Sequence, residues 1–429
     1  MKKTYHIVGK QGKYSEKELR KQLCRNGQFL LPVVSLIEQS QMAVNEVVDV
    51  LGRATIEAVL NLSAEQVAGP RQPGRRGEDV VWHGSQPGRV TMSDRKLVVE
   101  RPRLRRRGIG AGGEVAVPAY EAMQQDDGLG QKMLHTLLRG VSTRNYQEVI
   151  PEMAENVGVS RSSVSREAQQ AAEGKFQELL ERRFDQLDLL VVYLDGMHFG
   201  EYTMITAVGV DGQGYKHVLG LQEGATENAA AVKTLLERLV AQGLDPQKKL
   251  LFVIDGSKAL RAAIPAVFGA EHPVQRCRIH KLRNVVEQLP QDQQNQARAA
   301  IRAAWRMEPK EGLARLRKLA DWFEQSYPAA AASVREGLEE CFTLNRLGVP
   351  PTLQRCLATT NVIESPQSGV RMRTRRVCNW RDGAMVQRWV AASFLATEKN
   401  FRRIMGFRDL WMLKAILRGS ESATRSVVA

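Results

Sequence analysis

Long apolar runs are missing from this 429-residue chain, and none approaches the ~18 residues that a membrane span requires. The opening MKKTYHIVGK carries lysines but no apolar stretch behind them, so no signal peptide is expected and the cytoplasm is the expected setting. Cysteine is scarce as well. Cys24, Cys277, Cys341, Cys356 and Cys378 are scattered and odd in number, which speaks against a disulfide framework. Cys277 and His280 form a single Cys-x-x-His pair where zinc commonly takes two such pairs, so zinc is excluded. Acids are in deficit too: 47 Asp and Glu stand against 62 Lys and Arg, a net charge of +15. That imbalance asks for a polyanionic partner, nucleic acid first and an anionic membrane surface second.

What is present begins with enough apolar residues, 43%, for a sizeable core. The length suits roughly two to four domains. Arginine is clustered at Arg101, Arg103, Arg105, Arg106 and Arg107, and again at Arg371, Arg373, Arg375 and Arg376. One such run is ordinarily a solvated face. Two runs on so basic a chain favour phosphate contact, with Arg105, Arg106, Arg373 and Arg375 as candidates.

Residues 1–68 have helical apolar spacing through Val44, Val47, Val48, Leu51, Ile56, Val59 and Leu60. Residues 69–113 open on the break GPRQPGRRG, alternate as two or three short strands from Asp79 to Arg103, and close on a glycine-rich hinge at 109–113. Helical spacing returns over 114–185, where TRNYQEVIPEMAENVGVSRSSVSREAQQ fits a helix-turn-helix. Gly158 suits the turn, Ser160 suits the next N-cap, and Val159 and Val164 would face inward. Arg161, Ser162, Ser163 and Arg166 would then face out, residue types that contact phosphates and base edges. An ordinary helical hairpin is the alternative.

In residues 186–290, the run Leu189 to Leu194 predicts a strand buried on both faces and ending at Asp195-Gly196. Tyr202 to Val210 and Tyr215 to Leu221 flank Asp211-Gly212-Gln213-Gly214 as a hairpin. Thr226 is expected to open a helix with a stripe of Val232, Leu235, Leu236, Leu239 and Val240. A second buried strand, Leu250 to Ile254, again ends in Asp-Gly at Asp255, and Ser257 caps the helix after it. Two acids ending neighbouring strands ~5 Å apart can share a cation. Bare, they repel; a pair of Mg²⁺ ions removes the conflict and suits phosphodiester chemistry. Strand, hairpin, helix, strand is the order of a ribonuclease-H-like core.

Pro273 to Arg278 is expected as another short strand leading into CRIHKLRNVVEQLP. Residues 291–355 are expected as an all-helical insertion, with Leu313, Leu316, Leu319, Ala320 and Phe323 on one face and Trp322 as a core aromatic. In 356–429 the stretch LATTNVIESPQSGVRMRTRR supplies a third acid, Glu364, which alone reads as a capping box with Asn361. Pro366 suggests a helix beginning at Ser365, with Glu364 in the turn before it.

Taken in this order, YLDG, FVIDG, CRIH and TTNVIE resemble the Mutator-type bacterial insertion-sequence transposases, a branch of the DDE transposases, from about residue 146 onward. The resemblance implies a ribonuclease-H-like mixed-sheet catalytic core interrupted by a helical insertion and preceded by a helical, helix-turn-helix DNA-binding region. It places the catalytic and metal-binding triad on Asp195, Asp255 and Glu364, with two Mg²⁺ ions for which Mn²⁺ can substitute. Cys277 and His280 match the family's Cys-x-x-His, and Arg371 a basic residue seven after the Glu. It implies terminal inverted repeats and target DNA as substrates, two or more subunits, and a nucleoid-associated protein. Two other readings stay open on the sequence: a helix-turn-helix regulator without catalysis, and a ribonuclease-H-like nuclease unconnected with a mobile element.

Overall fold

The computed structural model describes residues 31–71, 79–92, 95–109, 113–124, 128–139, 161–224 and 229–425. Two compact units divide the chain, Met1–Leu129 and Gly130–Ala429. In the first, helix α1 (Leu31–Ala68) lies on an antiparallel hairpin of β1 (Val80–Met92) and β2 (Arg95–Arg106), with a two-residue β3 (Glu114–Val115) beside β2. Ile56, Leu60 and Ala64 recur every four residues along α1 and pack on Val90, Leu97, Val99 and Leu104. Where two or three short strands were expected, there are two long ones and a short third. Pairing also starts the sheet face over near Gly84, where the register shifts between Trp82 and Ser85. Arg101, Arg103 and Arg105 alternate with buried Pro102 and Leu104, so they lie on the face away from α1.

Within the second unit, helices α2 (Pro118–Gln124) and α3 (Gly128–Leu138) having preceded or straddled the boundary, helix α4 (Arg161–Leu180) leads into a five-stranded sheet. Its strands are β4 (Leu189–Phe199), β5 (Tyr202–Asp211), β6 (Lys216–Gly224), β7 (Leu251–Ile254) and β8 (Val274–Arg276), in spatial order β6-β5-β4-β7-β8. The first three are antiparallel; β4, β7 and β8 are parallel. The hairpin turn forms as expected, with Asp211 Oδ1 accepting from the N–H groups of Gln213 and Tyr215. Parallel strands need cover on both faces. Val192, Leu194, Phe252 and Ile254 pack on α5 (Ala229–Ala241) and α6 (Lys258–Phe268), while Val191, Tyr193, Leu251 and Val253 face the other way. The α5 stripe is buried at Val232, Leu235, Leu236 and Leu239; Thr226, expected to open it, lies outside the described residues.

After β8 every described element is helical. Helices α7 (Arg278–Val286), α8 (Gln291–Ala304), α9 (Pro309–Glu324) and α10 (Pro328–Arg335) share a core of their own, including Leu282, Ile301, Leu313, Leu316, Ala320, Phe323 and Phe342. Trp322 does not join it: its side chain is 58% exposed, because α9 turns Phe323 inward and leaves its neighbour outside. Short α11 (Thr343–Arg346) and α12 (Pro351–Leu357) return the chain to the sheet. There α13 (Asn361–Thr374), α14 (Gly383–Glu398) and α15 (Leu410–Arg425) complete the fold. No helix among the described residues is long and apolar enough to cross a membrane.

Candidate active site

Asp195 does not end its strand. Strand β4 runs on to Phe199, with Asp195 opposite Thr206 and Gly196 opposite Ile205; the chain turns only at Gly200, where φ is 61°. Ten residues of pairing with β5 outweigh the local turn preference of Asp-Gly. On its other side β4 loses its partner at this point, since the last parallel pair is Leu194 with Ile254. Asp195 and Asp255 therefore sit side by side, each the next residue after that pair, on strands ~5 Å apart. Asp255 Oδ1 accepts from the N–H groups of Gly256 and Ser257 at 2.6 and 2.8 Å, and Ser257 caps α6 by accepting from Leu260 N. Gly256 is required here. Its φ is 139°, and a Cβ would stand 2.5 Å from the Arg276 guanidinium that packs beneath it.

The first acid is the more buried, at 8% exposure. Burial and the neighbouring charge of Asp255 push its carboxyl up to about 6, against a smaller pull from Gln367 and His280. Gln367 is itself buried, and its amide donates to Thr206 Oγ1 at 3.2 Å, while that hydroxyl donates to the Asp195 carbonyl at 3.1 Å.

Glu364 arrives by another route. Helix α13 begins at Asn361, earlier than Pro366 had suggested, with Thr360 as the N-cap residue rather than Asn361. Glu364 thus lies in the first helical turn, not in a turn before the helix, and its N–H donates to Thr360 O at 2.9 Å. Pro366 lies inside the helix, where it removes one donor while its ring is buried. Gly369 is explained by its neighbour: a Cβ there would stand 2.5 Å from the Thr397 methyl of α14. Because α13 is continuous, Arg371 falls two turns beyond Glu364 on the same side, and it is exposed.

A cluster of polar side chains holds the third acid. Thr360 Oγ1 donates to Glu364 Oε1 at 2.6 Å and lies 3.3 Å from Cys277 Sγ and 3.4 Å from His280 Nδ1. His280 Nε2 stands 3.7 Å from the same carboxylate oxygen. Cys277 caps α7 by accepting from His280 N, and its own N–H donates to Ile254 O, the residue before Asp255. Cys277 and His280 shift together. The hydrogen bond with Cys277, with the charges of Cys277, Glu364 and Asp195, pushes the imidazole up to about 9 against burial. Burial would raise the Cys277 thiol, but hydrogen bonds from His280 and Thr360 outweigh it and bring it down.

The structure thus brings Asp195, Asp255, Glu364, Cys277 and His280 to one region. Among the described residues no three His, Cys, Asp or Glu side chains already converge as a metal site. Glu364 is turned toward Thr360 and His280 instead. Thr360, Gln367 and Thr206 were not singled out on the sequence. Gln367 had one available signal, its place a single turn after Glu364; Thr360 had its place in TTNVIE; Thr206 had none. Arg373 Nε donates to Thr397 Oγ1 at 3.1 Å at the far end of α13, and Arg375 is exposed just past it. Arg166 is exposed on α4, while the side chains of Arg161, Ser162 and Ser163, and the preceding helix and turn of the expected helix-turn-helix, lie outside the described residues. Arg105 Nη1 meets His83 Nε2 at 3.2 Å, and Arg106 is exposed, both in the first unit.

The chain is 25% identical over 359 residues to the transposase for insertion sequence element ISRM5 of Rhizobium meliloti, an alignment covering 81% of this chain and 87% of that one. It is 27% identical over 275 residues, 61% of this chain and 68% of the other, to the transposase for element IS256 in transposon Tn4001 of Staphylococcus aureus. A third similarity, 30% over 177 residues, is to the transposase for element IST2 of Acidithiobacillus ferrooxidans and covers 41% of this chain and 58% of that one. The family model described as "Transposase, Mutator family" matches residues 28–404, and the chain belongs to that family.

Proposed function

We propose that the chain is a DNA transposase that binds the terminal inverted repeats of its insertion sequence and cleaves and rejoins strands through Asp195, Asp255 and Glu364. The observation that carries this reading is the in-register placement of two acids where β4 and β7 part, with a third acid tethered to the same strand end through Cys277 and Thr360. The sheet order, three antiparallel strands continued by two parallel ones, supports a ribonuclease-H-like core, and α7 to α11 its helical insertion.

The residues fit a divalent cation. Asp195 and Asp255 present hard oxygen donors, and burial together with the neighbouring Asp255 charge pushes Asp195 up to about 6, a cost that such an ion offsets. Asp195 and Asp255 would hold Mg²⁺, or Mn²⁺ in its place, and Glu364 would join a second site on turning from His280. Bound ions of this kind activate an attacking oxygen and stabilise a leaving one. The chain's own residues do the rest. Gln367 and Thr206 fix the first strand's acid, Thr360 holds the third in reserve, and His280, cationic at neutral pH, offers a donor to a phosphate oxygen. Arg371 and Arg373 on α13, with Arg375 just past its end, serve backbone contacts. Arg105 and Arg106 in the first unit, with Arg161, Ser162, Ser163 and Arg166 at the start of α4, serve end recognition. Synapsis of two ends calls for at least a dimer, and the nucleoid is the site of action.

The test is cleavage of labelled DNA carrying the inverted repeats that flank the coding region. With Mg²⁺ the wild type should cut at the repeat ends, while Glu364→Gln should bind the same DNA and leave it intact. Full cutting by Glu364→Gln would sink the assignment.

A further inference from the structure

A cleft of about 770 Å³ opens between the helical segment and the turn that leads to Thr360. Arg278, Arg302, Trp305, Arg306, Asn345 and Arg355 line it, and Ala358 and Thr359, the two residues before Thr360, complete the wall. Four guanidinium groups face one carboxylate there, that of Glu308, which is already engaged in capping α9 through Lys310 N. Arg302, Arg306 and Arg355 are exposed and have no ion-pair partner among the described residues. Arg278 is more unusual. Its Nε donates to Cys341 O at 2.9 Å and its Nη2 to Asn345 Oδ1, both neutral acceptors, and it lies 5.5 Å over the Trp305 ring. Burial without a carboxylate brings Arg278 down to about 10. The Trp305 ring, 8% exposed, gives the cleft an apolar wall.

The chemistry these groups share is recognition of an anion with several oxygens, and a line of guanidiniums suits successive phosphates. The volume falls within the ~300–1,000 Å³ of a small-ligand pocket, enough for about two nucleotides and too small for a length of duplex. Asp195 is recessed, so a scissile phosphate must be drawn down from the duplex surface to meet it. We propose that this cleft holds the unpaired strand beside the scissile phosphate, gripping its backbone with Arg278, Arg302, Arg306 and Arg355. The proposal rests on the reading of the carboxylates as a DNA-cleaving site, and it adds where the strand lies.

Binding in the presence of EDTA separates the two. Fluorescence anisotropy of the full-length protein would be measured with a labelled oligothymidylate about a dozen nucleotides long and with a duplex of equal length. The variant combines Arg302→Gln, Arg306→Gln and Arg355→Gln, all exposed positions, and circular dichroism checks its fold. Single-strand affinity should fall about 10- to 100-fold and its salt slope by about 2, three contacts at ~0.7 each, while duplex affinity changes less than about threefold. Equal loss on both probes, loss on the duplex alone, or no loss overturns the proposal. A protein that binds in this way but cuts nothing with Mg²⁺ would instead refute the transposase reading and leave the cleft standing.

Discussion

Two neighbouring regions of the second unit bury charge of opposite sign and do not neutralise each other. At the sheet opening, Asp195 is recessed beside Asp255 with no Lys or Arg in an ion pair with either among the described residues. On the helical side, Arg278 and Lys281 are half-buried and buried, and their hydrogen bonds go to carbonyls and an amide rather than to carboxylates. Buried charges are ordinarily paired. Kept apart, one region is suited to receive a cation and the other a polyanion. Both costs are borne by the folded chain alone, as is common where binding has shaped a site.

The largest expected effect comes from erasing the anionic side. Asp195→Asn should lower Mg²⁺-dependent cleavage by about a thousandfold or more, since a neutral amide is a poor ligand for a hard cation. The same change should raise metal-free stability by about 1–3 kcal/mol, because it removes a buried charge and its repulsion from Asp255. Calorimetry in EDTA checks this half. A variant that melts lower than the wild type would mean that the buried Asp195 charge is no cost to the folded chain, whatever its activity.

A smaller effect is expected at the tether between the two sides. Thr360→Val keeps the shape but removes the hydroxyl that holds Glu364, Cys277 and His280 together. Cleavage should fall about 10- to 100-fold, the scale of losing a partner that orients a metal ligand. Thr360→Ser should restore most of it, and the Mg²⁺ concentration giving half-maximal cutting should rise in the Val variant only. An unchanged Mg²⁺ requirement would reduce Thr360 to a packing residue.

These two regions were unequally legible in the sequence. Asp195 and Asp255 follow apolar runs, and the apolar run is a local signal, so both acids and the strands carrying them were readable. Even there Asp-Gly misled, because the continuation of β4 to Phe199 depends on pairing with β5, which no local pattern contains. The helical segment is legible from its stripe at Leu313, Leu316, Ala320 and Phe323, yet Trp322, expected in the core, lies on the exposed side of it. Thr360 and Gln367 were invisible as site residues because their partners are distant: Cys277 is 83 positions from the first and Thr206 161 from the second. Pro366 suggests a later start for α13 than the structure has, because at the sixth helical position one lost donor is outweighed by burial of the ring. The stretch expected as a helix-turn-helix lies largely outside the described residues, as do the side chains of Arg161, Ser162 and Ser163.

The smallest expected effect tests the cationic side by pH. Lys281 is 4% exposed, and its ammonium donates to the carbonyls of Ser333 and Glu336 at the C-terminal end of α10, where the helix dipole favours positive charge. Burial is the larger influence and brings it from the usual 10.5 down to about 8. Below about pH 8 both folded and unfolded chains hold the proton, and the full desolvation cost is present. Between about 8 and 10.5 the unfolded chain binds a proton that the folded chain does not, so this residue's contribution to stability grows more favourable as pH rises. The change is at most on the order of 3 kcal/mol across that window. Lys281→Met keeps the stem's packing and removes the titration, so the wild type should gain on the variant as pH climbs from 7.5 to about 10, read as melting temperatures in a pH series. A wild type that loses ground to the variant over that range would mean the ammonium is fully compensated by the α10 carbonyls and is no cost to the folded chain.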